Sequence, residues 1–466
     1  MNQILFFIGK EKTISNIKRY EFQDILDLSK FINLTTKDIY KLHKDIPNCI
    51  RYNSGWTKED TSVYFNHLLF RNYLKFKRGN TSLNMELRVK LLGPYKLKTF
   101  ALFLTSIKYL YNTCKSISWL ILIKSINKKS EYLLFELRNK GKIGLGDIEQ
   151  YKKILLENSI SAVVTFSSLK DPKLFDLSIA CKILNIELHY FPECWDNVST
   201  GFEPPSHIRH MHLWSKQQMK QIADSNSDTC IKTDVYGSYR ATRALSSMFK
   251  TETNFFKVSK LSILYLEGYF YEDLSFTINK IIEAIIGRNQ KISPSINEIN
   301  LIIRKYPLKR QTINVRESNN VISHEIFLER IKIVITESFN STLAEDLAQT
   351  QLIFSELTTA GLEAALSGYS VIFIGSKRSP RYLDSSMAYR YTFAQEVPKF
   401  FEYIEMDKKS DQERLSIIMD SFLFDYPKSF KHLMPENHSL ERLTYFAEGF
   451  NLERWNSLIS NLKRDK

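Results

Sequence analysis

Residues Gln351 to Ser376, QLIFSELTTAGLEAALSGYSVIFIGS, decide the fold. Leu352 to Ser355 is a short apolar run suited to a buried strand. Glu356-Leu357-Thr358-Thr359 forms a turn, Ala360 to Leu366 has helical composition, Gly368 ends it, and Val371 to Ile374 is a second apolar run. Strand, turn, helix and strand at this spacing predict a unit with two parallel strands. Thr358 or Thr359 is a natural N-cap, and the small residues Ala360 and Gly361 would let a ligand approach the backbone closely. In open α/β sheets ligands sit at the carboxyl ends of strands, where helix N–H groups and the helix dipole favour a phosphate. Glu363, one turn further in, is placed to reach a ribose or sugar hydroxyl; the alternative is a carboxylate held only by the helix dipole.

The same alternation continues outward from this stretch. Candidate strands in the first half are Ile4 to Ile8, Ala162 to Phe166, Glu187 to Phe191, Met211 to Trp214 and Ile231 to Tyr236. In the second half they are Ser262 to Leu266, Leu301 to Arg304, Ile331 to Ile335, Leu352 to Ser355 and Val371 to Ile374. A chain of 466 residues is too long for one hydrophobic core, so two sheets in two domains are expected. The break falls near residue 250, after a helix over Arg240 to Phe249, giving a first domain of residues 1–249 and a second of 250–466 with its C-terminal helices. Residues 15 to 145 are poor in clear strands and rich in helical pattern, and are expected to elaborate the first domain.

The formal charge of +14 is concentrated in one place. Residues 61–130 carry thirteen lysines and arginines against the single acid Glu86, interleaved with aromatic side chains such as Phe76, Tyr95, Phe103 and Trp119. This reads as a helical, basic surface for an anionic lipid or an anionic acceptor, the alternative being a solvated face without a partner. It contains no recognised nucleic-acid module, so nucleic acid is not the expected partner. The longest apolar runs, Phe100 to Ile107 and Ile117 to Ile123, are far below the roughly 20 residues of a membrane span. The opening MNQILFFIGKEK suits a first buried strand better than a signal peptide. Cys49, Cys114, Cys181, Cys194 and Cys230 are scattered and odd in number, which points to a reducing, cytoplasmic setting. His207, His210 and His212 are close in sequence, with His210 and His212 on one face of a strand; ordinary strand histidines are expected there, and no metal site.

Two further segments carry candidate chemistry. Leu301 to Pro307, LIIRKYP, ends a strand in Arg304, whose guanidinium is suited to bidentate pairing with a diphosphate; a surface ion pair is the alternative. Phe191 to Pro205, FPECWDNVSTGFEPP, follows a strand of the first domain and places Glu193 and Asp196 as candidate general bases beside Trp195, a stacking surface for a sugar. The alternative is a turn in which Asp196 and Asn197 bond their own backbone.

Together these segments resemble the nucleotide-sugar transferases of bacterial surface-polysaccharide gene clusters, a GT-B group related to the nucleotide-sugar 2-epimerases. The resemblance rests on CWDNVSTG at Cys194 to Gly201, MHLWSKQQ at Met211 to Gln218, VYGSYR at Val235 to Arg240 and TTAGLEAALSG at Thr358 to Gly368. It spans about residues 155 to 375. It implies an α/β GT-B fold, two Rossmann-like domains with a cleft between them, the nucleotide held mostly by the second, and no obligatory metal. Such folds often carry Arg-x-His-Pro at a strand end; here those positions are Arg304, Lys305, Tyr306 and Pro307, and tyrosine cannot make the histidine's charged contact, so Arg304 and Lys305 carry it or the donor is atypical.

The expected function is transfer of a sugar from a nucleotide-sugar co-substrate to a saccharide, lipid-linked acceptor, with inversion and with no other cofactor. Asp196 or Glu193 takes the acceptor proton, Arg304, Lys305, Thr358, Thr359 and Gly361 hold the leaving diphosphate, and Glu363 orients the donor. The alternatives are a nucleotide-sugar 2-epimerase and a non-catalytic relative that binds a glycan or a membrane.

Overall fold

A computed structural model describes residues 3–10, 14, 26–56, 147–167, 171–193, 208–225, 231–247, 259–268, 274–287, 292, 294, 296–305, 324–327, 331–338, 341–356, 358–375, 401–424, 445 and 447–464. The chain divides into two compact units. One comprises residues 1–240, 390–392 and 445–466, and the other residues 241–389 and 393–444.

The first unit is built on β1 (Gln3–Ile8), β2 (Ile32–Thr36), β3 (Cys49–Tyr52), β4 (Ile160–Ser167), β5 (Glu187–Pro192), β6 (His210–Leu213) and β7 (Lys232–Val235). The strands pair in parallel in the order β3-β2-β1-β4-β5-β6-β7. Helices α1 (Lys37–Leu42), α2 (Ile148–Glu157), α3 (Pro172–Ile183) and α4 (Lys216–Ser225) connect them, and α5 (Tyr239–Ser247) follows β7, its residues from Ala241 onward counting with the second unit. Leu5, Phe7, Val163, Leu188 and Met211 turn to one face of the sheet, where Tyr151, Leu155, Leu174 and Leu177 of α2 and α3 cover them. β2 and β3 lie inside residues 15 to 145, where no clear strand was expected. Asn33, Thr35 and Thr36 are polar yet buried there, so apolar periodicity is weak; the Asn33 amide donates to the carbonyls of Leu28 and Pro47 and the Thr35 hydroxyl to that of Ile8.

At the amino edge of this sheet, parallel register sets His189 of β5 opposite His210 of β6. His189 and His212 are buried, and burial, then neighbouring histidines, lowers both from the ordinary imidazole range: His189 to about 3 and His212 well below it. Both rings are neutral at neutral pH.

The second unit contains β8 (Lys260–Leu266), α6 (Leu274–Ile286), β9 (Glu298–Arg304), β10 (His324–Phe327), β11 (Lys332–Glu337), α7 (Leu343–Ala348), β12 (Leu352–Ser355), α8 (Thr359–Leu366), β13 (Val371–Gly375), β14 (Tyr403–Glu405) and α9 (Lys409–Phe424). Its sheet runs β10-β11-β9-β8-β12-β13-β14, parallel except for β10, which pairs antiparallel with β11. Ile278, Ile281 and Ile285 of α6 and Leu415, Met419 and Phe422 of α9 pack on Leu261, Ile263, Tyr265, Leu301 and Phe354. On the other face α8 packs on β12 and β13, with Gly361 against Ser355 and Phe373.

The last helix, α10 (Leu452–Arg464), belongs to the first unit, whereas the sequence placed it in the second. Trp455, Ile459 and Leu462 share one side of α10 and bury against Phe6, Phe31, Phe166 and Phe191. Each such burial stabilises by roughly 1.5–3 kcal/mol, which is enough to recruit a segment far along the chain. The VYGSYR turn receives it: the amide of Ser238 donates to the carbonyl of Glu448 at 2.8 Å. Gly237 has φ of +78°, and a Cβ there would lie 2.0 Å from the carbonyl oxygen of Gly449, so glycine is needed on both counts. Among the described residues no helix is long and apolar enough to cross a membrane.

Candidate functional site

In the second unit the chain proceeds from β8 to β9 and outward to β11, then returns to β12 on the other side of β8. The topological switch point therefore lies at the carboxyl ends of β8 and β12, the place in a doubly wound sheet where a ligand fits. Glu356 follows β12 directly and is buried. Its carboxylate accepts the Tyr265 hydroxyl at 2.6 Å and the Gly268 amide at 2.9 Å, tying the two strand ends together.

The turn after Glu356 starts α8 as the sequence predicts. Thr358 is the N-cap, with extended backbone and a side-chain oxygen that accepts the Gly361 amide at 3.0 Å. The Leu362 amide bonds the Thr358 carbonyl. The first-turn amides of Thr359 and Ala360 have no hydrogen-bond partner among the described residues. The donor pair available to a ligand is thus Thr359 and Ala360, while the Gly361 amide is occupied by the cap.

Gly361 serves the packing of α8 on the sheet. A Cβ at this position would lie 2.2 Å from Ser355 Oγ, 2.7 Å from Ser355 Cβ and 2.9 Å from Phe373 Cε1. Close approach of helix to strand is thus a reason for glycine here in its own right, beside the expected approach of a ligand. Glu363 is buried, consistent with a side chain turned away from water.

Arg304 ends β9, and it is in register with Leu266 of β8, which is in register with Ser355 of β12. Register partners in a parallel sheet project from the same face, so Arg304 and the start of α8 share an edge and a face, two strand spacings or about 10 Å apart. One terminal nitrogen, Nη1, donates to Asp346 Oδ2 at 2.5 Å and to the Ser341 carbonyl at 3.0 Å. Asp346 is buried and also accepts the Ser338 hydroxyl at 2.8 Å and the Ser341 hydroxyl at 2.5 Å. Nε and Nη2 of Arg304 have no hydrogen-bond partner among the described residues. Lys305 pairs with Glu337 at 2.8 Å, so both strand-end cations are anchored by an acid. Tyr306 and Pro307 lie outside the described residues.

In the first unit the switch point falls between β1 and β4. Asp171 caps α3 by accepting the Lys173 amide at 3.1 Å, and Lys173 Nζ donates to the Gly9 carbonyl at 3.0 Å. Glu193, immediately after β5 on this same carboxyl edge, is buried. Asp196 and Trp195, with the rest of the Cys194 to Gly201 motif, lie outside the described residues, as does the basic segment 61–130. Residues of the MHLWSKQQ motif brace the β5 end: Trp214 Nε1 donates to the Pro192 carbonyl at 2.8 Å, and Gln218 Oε1 accepts the Trp214 amide at 2.8 Å.

Sequence reasoning missed Asp346 and Glu356. Glu356 carried a signal, since it is an acid at the first position past an apolar run. Asp346 carried none, because it meets Arg304 only through a contact 42 residues apart.

Two Rossmann-like units, each with a doubly wound, largely parallel sheet, define an α/β protein of the GT-B fold. Among solved structures the chain is similar to a protein of Listeria monocytogenes assigned as UDP-N-acetylglucosamine 2-epimerase, with TM-score 0.50 and 10% identity over 100% of this chain and 97% of the other. It is also similar to UDP-GlcNAc 2-epimerase of Methanocaldococcus jannaschii, with TM-score 0.47 and 12% identity over 98% and 99% of the chains. MurG of Acinetobacter baumannii has TM-score 0.44 and 10% identity over 99% and 100%. No protein-family model and no curated protein matches the sequence.

Proposed function

We propose that the protein is a glycosyltransferase that moves a sugar from a nucleotide-sugar donor to a saccharide, lipid-linked acceptor in bacterial surface-polysaccharide synthesis. The observation that carries this reading is the shared face of Arg304 and the α8 start at the switch point. Nε and Nη2 of the anchored guanidinium, with the Thr359 and Ala360 amides, suit the oxygens of a leaving diphosphate. Lys305 adds positive charge beside Arg304, Thr358 and Gly361 shape the turn, and Glu363 orients the donor.

In the proposed reaction the acceptor hydroxyl attacks the anomeric carbon as the bond to the diphosphate breaks, and its proton passes to a carboxylate of the first unit. Asp196 or Glu193 takes it; Glu193 has support from its place just past the carboxyl end of β5. One displacement gives inversion, and the charge on the diphosphate is met by Arg304 and amides without an obligatory metal. The basic segment 61–130 would hold the protein at the anionic inner face of the cytoplasmic membrane, where lipid-linked acceptors reside.

A thermal-shift screen against UDP-, GDP-, dTDP- and CMP-sugars tests the donor site, since a ligand at about 100 times its Kd stabilises by about 2.7 kcal/mol. No stabilisation by any nucleotide at millimolar concentration would leave a non-catalytic glycan-binding or membrane-binding protein. The second reading, a 2-epimerase, is favoured by the name of the Listeria monocytogenes structure. A product formed from donor alone, with no acceptor present, selects that reading.

A further inference from the structure

We infer that the amino edge of the first unit's sheet holds a zinc site made by Glu187, His189 and His210. It lies at the opposite end of the strands from the chemistry proposed above and does not depend on it. Glu187 and His189 are two residues apart on β5 and therefore share a face, and the parallel register places His210 of β6 beside His189. Glu187 Oε2 lies 3.5 Å from His189 Nε2 and 3.9 Å from His210 Nε2, and one ligand atom from each of the three falls within 4.8 Å of the others. Zinc with bonds of about 2.0–2.1 Å sets tetrahedral ligand atoms roughly 3.3 Å apart, so the three must draw together by at most about 1.5 Å. The His189 and His210 rings stack with centroids 4.6 Å apart and planes 15° apart. Binding therefore requires His210, the more exposed of the two, to turn its lone pair toward the ion.

A second observation points to a ligand. His189 Nε2 is buried and has no hydrogen-bond partner, although the ring is held from behind by a contact of 3.0 Å between its Nδ1 and His212 Nε2. If His189 donates in that contact, its proton is on Nδ1 and Nε2 presents a lone pair to Glu187 and His210. Metal-binding histidines are commonly oriented by such a bond from their second nitrogen. Two imidazoles and one carboxylate form a zinc donor set, with water completing four-coordination on the exposed side of Glu187. From β7, Lys232 and Asp234 also face His210, the first opposing and the second favouring a cation. The ion would clamp β5 to β6, a structural role.

The test uses full-length protein without an affinity tag, stripped of metal with EDTA and desalted, titrated with Zn(II) in a calorimeter and with Co(II) by visible absorption. One Zn(II) per chain is expected, with tetrahedral Co(II) bands and a melting temperature that rises on Zn(II) addition. Glu187→Gln and His210→Asn should each weaken Zn(II) binding by more than the roughly tenfold cost of removing a supporting partner, with metal-free melting unchanged. His43→Gln should bind as the wild type does. Failure of the wild type to take up Zn(II), or wild-type affinity in both variants, overturns the assignment. Should either variant fold poorly, the wild-type stoichiometry and the ring-nitrogen chemical shifts decide: Zn(II) must move those of His189 and His210, and unmoved shifts refute the site.

Discussion

Replacing Arg304 by alanine tests its pairing with Asp346 and its proposed hold on a diphosphate at the same time. Nη1 neutralises Asp346, a carboxylate with only 2% of its side chain exposed, while Nε and Nη2 have no hydrogen-bond partner among the described residues. Removing one partner of a buried pair costs about 3–5 kcal/mol. Arg304 is itself 18% exposed and Asp346 keeps two serine donors, so the loss of stability should lie below that range, at about 2–3 kcal/mol. Loss of charge-assisted bonds to a diphosphate adds about 1.5–3 kcal/mol in binding, or roughly 10-fold to 150-fold in Kd. A nucleotide sugar at about 100 times the wild-type Kd, worth about 2.7 kcal/mol there, should then stabilise the variant by only about 0.3–1.3 kcal/mol. Denaturant unfolding with and without nucleotide measures both quantities. A variant that is less stable yet keeps the full nucleotide-induced gain would reduce Arg304 to a structural partner of Asp346.

Three other outcomes are expected. Gly361→Ala gains about 1 kcal/mol of helix propensity but meets three atoms closer than 3.0 Å, an overpacking cost of about 1–3 kcal/mol; urea unfolding should show net destabilisation, partly relieved by Ser355→Gly, and a neutral variant would return the glycine to ligand approach. Burial holds the hydrogen-bonded phenols of Tyr52 and Tyr151 well above the usual tyrosine range, so both stay protonated when the unfolded chain ionises. Their contribution is fully present below about pH 10 and is lost above it, by about 1.4 kcal/mol per pH unit per phenol, and the Tyr52→Phe/Tyr151→Phe protein should show a shallower alkaline loss in unfolding titrations; an equal slope contradicts the assignment. For the proposed reaction, whichever of Asp196→Asn and Glu193→Gln removes the base should lower turnover by about a hundredfold or more with donor affinity kept, and near-normal turnover in both places the base elsewhere.

What the sequence by itself determined is the part of the molecule written in local patterns. The apolar runs at Leu352 to Ser355 and Val371 to Ile374 are strands within a residue of their observed ends, and Thr358 caps α8 as its side chain and position predict. Central strands of parallel sheets are buried on both faces and read as continuous apolar runs, which is why these were legible. The edge strands β3, β10 and β14, of three or four residues, were not, because their pairing depends on distant neighbours more than on their own composition.

Only the tertiary structure decided which unit α10 joins, since the aromatic cluster that receives Trp455 is assembled from strands more than 200 residues away. It also decided what Gly361 packs against and which acid anchors Arg304. His189 and His210 meet for the same reason: the sequence offers His210 as an ordinary strand histidine and does not single out His189, and parallel register sets β5 beside β6. Such contacts arise from the packing of elements against one another, and no local pattern of residues records them.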